Sequence, residues 1–261
     1  MANIKGAQLT QRTILITGGS SGIGLELALR LSDRRNTVVV SGRDAVKLAE
    51  LKRQHPQLHT IQGDVSSATG VAALADQVLS QFSALDVVFN NAGIMKNIDL
   101  SESGNNEDLC QEIDTNLSGS IRMVGKLLPH LKRQPSALIV NISSGLAFVP
   151  MFSAPIYCAT KAAIHSFSLS LREQLRDSSV RVVELAPPAV NTPLLHGVMG
   201  AQASAQQGMA VEKLVFHAIA GIEGGRTEIR PGLANILYTM SRVAPGLMFG
   251  QLTNMVRKGS R

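Results

Sequence analysis

Short β-branched runs recur along this chain, each followed by a longer stretch with helical spacing. Thr13-Ile14-Leu15-Ile16-Thr17 reads as a buried strand, and Leu25 to Ser32 as the helix after it. Thr37-Val38-Val39-Val40 is a second strand, followed by Ala45 to Gln54, helical and charged on one face. Val71 to Phe82 reads as a helix and Leu85 to Phe89 as a strand. Ala137 to Ile142 is a strand, Ile156 to Leu175 a helix and Val180 to Leu185 a strand. Between them, Leu109, Ile113, Leu117, Ile121, Val124 and Leu128 recur at three- and four-residue steps, which predicts one long amphipathic helix. Antiparallel partners can be joined by tight turns, whereas parallel strands need crossovers of this length. The pattern therefore predicts an α/β chain with a Rossmann-type, doubly wound parallel sheet and helices on both faces.

No linker, composition shift or repeat divides the 261 residues, so a single domain spanning 1–261 is expected, with a C-terminal extension over 233–261. Aromatics make up only 3% and Trp is absent, so aliphatic side chains must fill the core. The net charge is +6, but the basic residues are scattered and not interleaved with aromatics. A solvated basic surface is the better reading and nucleic-acid binding is disfavoured. Cys110 and Cys158 form neither a CxxC pair nor a disulfide framework, which suits a reducing compartment. Met1 to Gln11 lacks an apolar signal core. Leu233 to Val256 is broken by Arg242 and Pro245, so no transmembrane segment is expected. A cytoplasmic protein is the expectation, and no metal site is read.

The loop after the first strand carries Gly18, Ser20, Ser21, Gly22, Ile23 and Gly24. Glycine permits a sharp turn and close backbone approach to a pyrophosphate, and the following helix presents free N–H groups. Glycines alone also mark ordinary turns. The strand–loop–helix setting is what favours a nucleotide. At the end of the second strand, where an acid would bind ribose hydroxyls, the chain has Ser41-Gly42-Arg43-Asp44. Arg43 could fork onto a 2′-phosphate or be a plain surface arginine; Asp44 suits an N-cap. This favours NADP(H) over NAD(H).

Tyr157 and Lys161 lie one turn apart on a predicted helix, with Ser144 upstream. Hydride transfer to a carbonyl requires a proton in the same event. A free phenol titrates near ~10, and a neighbouring ammonium would favour its ionised form. Tyr157 could then donate in reduction and accept in oxidation, with Ser144 bonded to the substrate oxygen. Taken alone, a Tyr-x-x-x-Lys pair is common in helices.

With Thr17 to Gly24, Asn90-Asn91-Ala92-Gly93, Asn116, Ser144, Tyr157 and Lys161 in this order, the chain resembles the short-chain dehydrogenase/reductase family over about residues 11 to 195. Asn97 to Leu100, Ser144 to Pro150, Tyr157 to Lys161 and Leu185 to Val190 look like its DltE-type branch. The resemblance implies a catalytic tetrad of Asn116, Ser144, Tyr157 and Lys161. In it, Asn116 would break its helix and hold a water in a relay from Lys161. It implies cofactor contacts at Asp64 and Val65 on adenine, at Asn91, Ala92 and Gly93 beside the sheet, and at Pro187, Val190 and Thr192 near the nicotinamide. The family's Pro-Gly after the sixth strand is Pro187-Pro188 here, and the second proline has no N–H to offer. The family commonly forms homodimers or homotetramers through its long helices.

These readings combine into an oxidoreductase acting on a ketone, aldehyde or secondary alcohol. The apolar Gly145-to-Phe152 loop, Ile94 and Met95 predict an apolar substrate, and Asn191 to Met209 a lid. The rival is a non-catalytic nucleotide-sensing protein on the same fold; retention of both Tyr157 and Lys161 counts against it. Leu233, Ile236, Leu237, Met240, Leu247, Met248 and Phe249 are expected to pack on the sheet edge or a partner subunit, with a peripheral membrane role as the alternative.

Overall fold

The computed structural model describes residues 6–101, 109–199 and 208–259. Seven strands form one parallel sheet in the order β3-β2-β1-β4-β5-β6-β7. They are β1 (Thr13–Thr17), β2 (Thr37–Gly42), β3 (His59–Gln62), β4 (Leu85–Asn90), β5 (Ala137–Ile142), β6 (Val180–Leu185) and β7 (Glu228–Ile229). The order reverses between β1 and β4, and a crevice opens at their carboxyl ends at such a switch point. The predicted doubly wound fold is the one observed.

The central strands have no solvated face. All six residues of β5 are buried, as continuous Val/Ile/Leu runs in a parallel sheet require. On one side pack α1 (Gly22–Ser32), α2 (Ala45–Gln54) and α7 (Val211–Glu223), with Leu27, Leu31, Phe89 and Leu214 fully buried. On the other lie α3 (Ala68–Gln81), α4 (Gly119–Leu131) and α5 (Pro155–Gln174), with Leu15, Leu74, Leu85 and Leu127 in the core. Asp44 caps α2, accepting from Lys47 N at 3.0 Å. Two further helices follow β7: α8 (Leu233–Val243) and α9 (Pro245–Gly259). Among the described residues no helix is long and apolar enough to cross a membrane.

Several elements depart from the sequence reading, the two-residue β7 among those it did not contain. β3 has only one fully buried residue, Ile61, between polar neighbours, so its alternation is faint. α7 repeats Leu214, Ala218 and Ile222 on its buried face, a legible stripe outside the reading above. The predicted helix through Leu109 to Leu128 contains a π-turn, Ile113–Ser118, before α4. That turn adds a residue per bond and rotates the stripe off the core. Ile113 and Ile121 are each 40% exposed, while Asn116, Met123 and Leu127 face inward.

Candidate active site

A cavity of about 630 Å³ runs along the carboxyl ends of the strands. Every predicted cofactor contact except Gly24 lines it: Gly18, Ser20, Ser21, Gly22, Ile23, Arg43, Asp64, Val65, Asn91, Ala92, Gly93, Tyr157, Lys161, Pro187, Val190 and Thr192. Ser144 lines it too. Asn116 stands just behind, with its Oδ1 reaching the far side of Gly93.

The glycine loop is fixed by sterics and by one buried threonine. Gly18 has φ +64° and Gly22 φ +54°, both in the region that only glycine enters freely. A Cβ on Gly24 would lie 2.4 Å from Asn91 Nδ2 and 2.6 Å from the Gly18 carbonyl. Gly24 thus acts beneath the loop, clearing the approach of α1 to the turn after β4. Thr17 Oγ1 accepts from Asn91 N and Ala92 N, each at 3.1 Å, and donates to the Phe89 carbonyl. Asn91 Nδ2 donates back to the carbonyls of Thr17 and Gly18. The turns after β1 and β4 are therefore one hydrogen-bonded unit. Below it, Asn90 Nδ2 donates to Asn141 Oδ1, and Asn141 Nδ2 to Ser168 Oγ, tying β4, β5 and α5 through the interior.

At the β2–β3 end, Arg43 is exposed, and among the described residues only its carbonyl is engaged, by Gln62 Nε2. Lys47, a second cation on this rim, did not figure in the sequence reading; it follows Asp44 by three residues and pairs loosely with it. Asp64 Oδ1 accepts from Ser66 N and thereby shapes the turn after β3.

At the β5–β6 end, the predicted tetrad comes together. Ser144, two residues past β5, accepts from Leu146 N at 3.1 Å and faces the Tyr157 phenol. Burial pushes that phenol up to about 12, opposed by the Ser144 hydroxyl and reinforced by Cys158 and Glu112. Lys161 is buried as well, which pulls its ammonium down to about 8. Its Nζ donates to the Ile142 carbonyl at 2.8 Å and lies 5.6 Å from the Tyr157 ring centroid. The sequence reading expected Lys161 to draw the phenol toward its ionised form. That expectation counted the nicotinamide's charge as well; without the cofactor, desolvation dominates and holds the phenol neutral.

Asn116 sits inside the π-turn. Its Oδ1 accepts from Ile94 N at 2.8 Å, while Nδ2 donates to the Ile94 carbonyl and to Thr160 Oγ1. A Cβ on Gly93 would meet Asn116 Oδ1 at 3.4 Å and Lys161 Nζ at 3.6 Å. Gly93 thus separates the amide from the ammonium.

The Pro187-Pro188 departure is accommodated by carbonyls. Pro187 O accepts from Gly145 N at 2.7 Å, and Ala189 O from Met209 N at 2.8 Å. Val190 bridges Met209, and Thr192 Oγ1 donates to the Val190 carbonyl. Part of the predicted lid, residues 200–207, lies outside the described residues; α6 (Pro193–Met199) brings Leu194 and Leu195 to the cavity.

The 145–152 loop divides. Gly145, Leu146 and Met151 line the cavity, whereas Phe148 turns away against His165 and Tyr238. The remaining wall is unexpected: Leu233 and Leu237 of α8, and Leu252, Met255 and Val256 of α9. Their spacing signals an amphipathic helix, and nothing in sequence says which partner they meet.

A family model for short chain dehydrogenases matches residues 12–202. The chain is 45% identical over 248 residues to the uncharacterized oxidoreductase DltE of Bacillus subtilis (strain 168), covering 94% of this chain and 98% of that one. The chain belongs to the short-chain dehydrogenase family. Within it, the similarity is to the DltE type, as the motifs indicated. A short-chain dehydrogenase from Burkholderia cenocepacia, crystallised with NADP, shares the fold at TM-score 0.81 and 23% identity over 94% of this chain and 99% of that one. A 3-ketoacyl-(acyl-carrier-protein) reductase from Brucella melitensis, crystallised with NADH, matches at TM-score 0.77 and 27% identity over 85% and 96%. This oxidoreductase thus shares a fold with NADP- and NADH-bound proteins.

Proposed function

We propose that this short-chain dehydrogenase moves a hydride between NADP(H) and an apolar ketone, aldehyde or secondary alcohol, with Tyr157 as the general acid and base. The supporting observation is the meeting of Ser144, Tyr157 and Lys161 at one end of a cavity whose other end is a glycine cradle.

The residues present fit a dinucleotide. Gly18 and Gly22 leave backbone open to a pyrophosphate, as side chains could not. Asp64 and Val65 would hold the adenine, Arg43 the 2′-phosphate, and Pro187, Val190 and Thr192 the nicotinamide. When bound, the cofactor supplies or accepts the hydride.

The chain's own residues manage the oxygen and its proton. Ser144 Oγ orients the substrate oxygen beside the phenol. In reduction, Tyr157 gives its proton to the oxygen as that atom gains negative charge, and a neutral phenol is the form held at neutral pH. Lys161 stabilises the phenolate left behind. Asn116 Oδ1 and Lys161 Nζ flank Gly93, and a water between them would return the relayed proton. In oxidation the phenolate takes the alcohol proton.

The wall of Leu146, Met151, Leu237, Leu252 and Val256 favours an apolar substrate body, at roughly ~0.8 kcal/mol per buried methylene. α6 with the residues up to Met209 would act as a lid. The exposed Ile113 and Ile121, with Leu169 on α5, are apolar surface suited to a homodimer or homotetramer. The free thiols of Cys110 and Cys158 suit a cytoplasmic setting.

A screen of carbonyls and alcohols with both cofactors tests the reading. Nicotinamide absorbance should change fastest with NADPH and medium-chain ketones. A response only to serine-like hydroxy acids, or only to NADH, would overturn substrate class or cofactor choice respectively.

A further inference from the structure

Beside Ser144 stands a second serine that the mechanism above does not use. Ser143 is buried, and its Oγ donates to Glu184 Oε1 at 2.5 Å. Glu184 lies on β6, opposite Asn141 of β5, and is only 1% exposed. Its other oxygen, Oε2, is 2.7 Å from Nδ1 of His165, which lies on α5 about two turns past Tyr157. A carboxylate only accepts, so Nδ1 carries the hydrogen. A buried carboxylate adds little stability over an apolar side chain of like volume, so one held at both oxygens points to a geometric role.

The order serine–carboxylate–imidazole is not that of a nucleophile triad, in which the imidazole stands between the other two. What the arrangement does is hold a short segment at both ends. Ser144 is extended, with φ −164° and ψ 158°, and along extended backbone successive side chains point to opposite sides. Fixing the Ser143 hydroxyl therefore fixes the direction of the Ser144 hydroxyl. At the far end, the Phe148 ring packs edge-on against the His165 ring, with centroids 5.1 Å apart, and against Tyr238 at 5.0 Å. Ser144, Gly145 and Leu146, all on the cavity wall, are strung between these two anchors.

We propose that Glu184 and His165 are positioning residues for Ser144: the pair anchors Ser143 on one side and Phe148 on the other, and so aims the Ser144 hydroxyl and sets the adjoining substrate wall. This rests on Ser144 orienting the substrate oxygen in the proposed function.

Two variants of the full chain test it. Ser143→Ala removes one tether, and Glu184→Leu removes both hydrogen bonds while leaving a side chain of similar size. Amide exchange at Gly145 and Leu146 should quicken at least about tenfold in each. In carbonyl reduction, kcat should fall about tenfold while NADPH Kd stays within about twofold of the parent. In a Ser144→Ala background, Ser143→Ala should cost less than about twofold more, because its effect passes through the hydroxyl already missing. A loss that multiplies in full in that background would overturn the proposal. So would unchanged exchange with lower thermal stability, which would leave the pair a tie between β6 and α5, or failure of both variants to fold. Exchange needs no turnover. A parent chain that reduces no carbonyl would therefore sink the proposed function, while exchange still decides whether the pair holds this segment.

Discussion

The two ends of the cavity are built from different materials. The β1–β4 end is backbone: Gly18, Gly22 and Gly24, locked by Thr17 and Asn91 within a few residues of two strand ends. The β5–β6 end is side chain: Ser144, Tyr157 and Lys161, walled by Leu237, Leu252 and Met255 from helices about eighty to a hundred residues further on. Backbone geometry admits almost no substitution. An apolar wall tolerates exchange so long as volume is kept. On the proposed function, binding of a common cofactor would belong at the first end, and choice of substrate at the second.

The sharpest way to break this contrast is Gly24→Ala. One methyl would sit 2.4 Å from Asn91 Nδ2, too close to relax without moving the β4 turn. The expected cost is about 3 kcal/mol or more of stability, with cofactor binding lost. Near-native melting and an unchanged cofactor Kd would show the loop to be looser than described.

Next comes an electrostatic cost confined to the side-chain end. Lys161 is held at about 8 in the folded chain, whereas an unfolded lysine titrates near ~10.4. Between these values the unfolded chain binds more protons, so stability from this group rises with pH. Free of cofactor, the protein should gain on the order of 1–3 kcal/mol between pH 7 and 10 in denaturant titrations. The opposite term from Tyr157 begins to be lost only above ~10, as pH climbs toward the folded value of about 12. In Lys161→Met the rise should vanish; its persistence would place the titrating group elsewhere.

Smaller effects sharpen the division of labour. Leu252→Ala should lower kcat/KM for a long-chain ketone about fivefold, while a short-chain ketone and the cofactor Kd change little. Equal losses on both ketones would mean that α9 shapes the site rather than holding the chain. Arg43→Ala, at the exposed rim, should weaken NADPH about tenfold and leave NADH unaffected. An unchanged NADPH affinity would transfer the phosphate to Lys47 or remove the NADP(H) preference.

The same contrast explains what sequence alone makes legible. The glycine cradle and the Asn91 turn are local, and their spacing after β-branched runs suffices to place them. Tyr157 and Lys161 are legible because four residues is one helical turn. Asn116 is not legible from periodicity: its stripe of Ile113, Leu117 and Ile121 suggests a regular helix facing the core, but the π-turn rotates Ile113 and Ile121 into solvent. The α8 and α9 wall is invisible for another reason, since no periodicity tells a helix which distant cavity it will cover.

The most direct test of hydride transfer through Tyr157 is steady-state carbonyl reduction by Tyr157→Phe beside its cofactor affinity. Only a hydroxyl is removed from a buried ring, so packing and NADPH Kd should hold while turnover falls about a thousandfold. Turnover within a few-fold of the parent enzyme would contradict the assignment of Tyr157 as the proton donor.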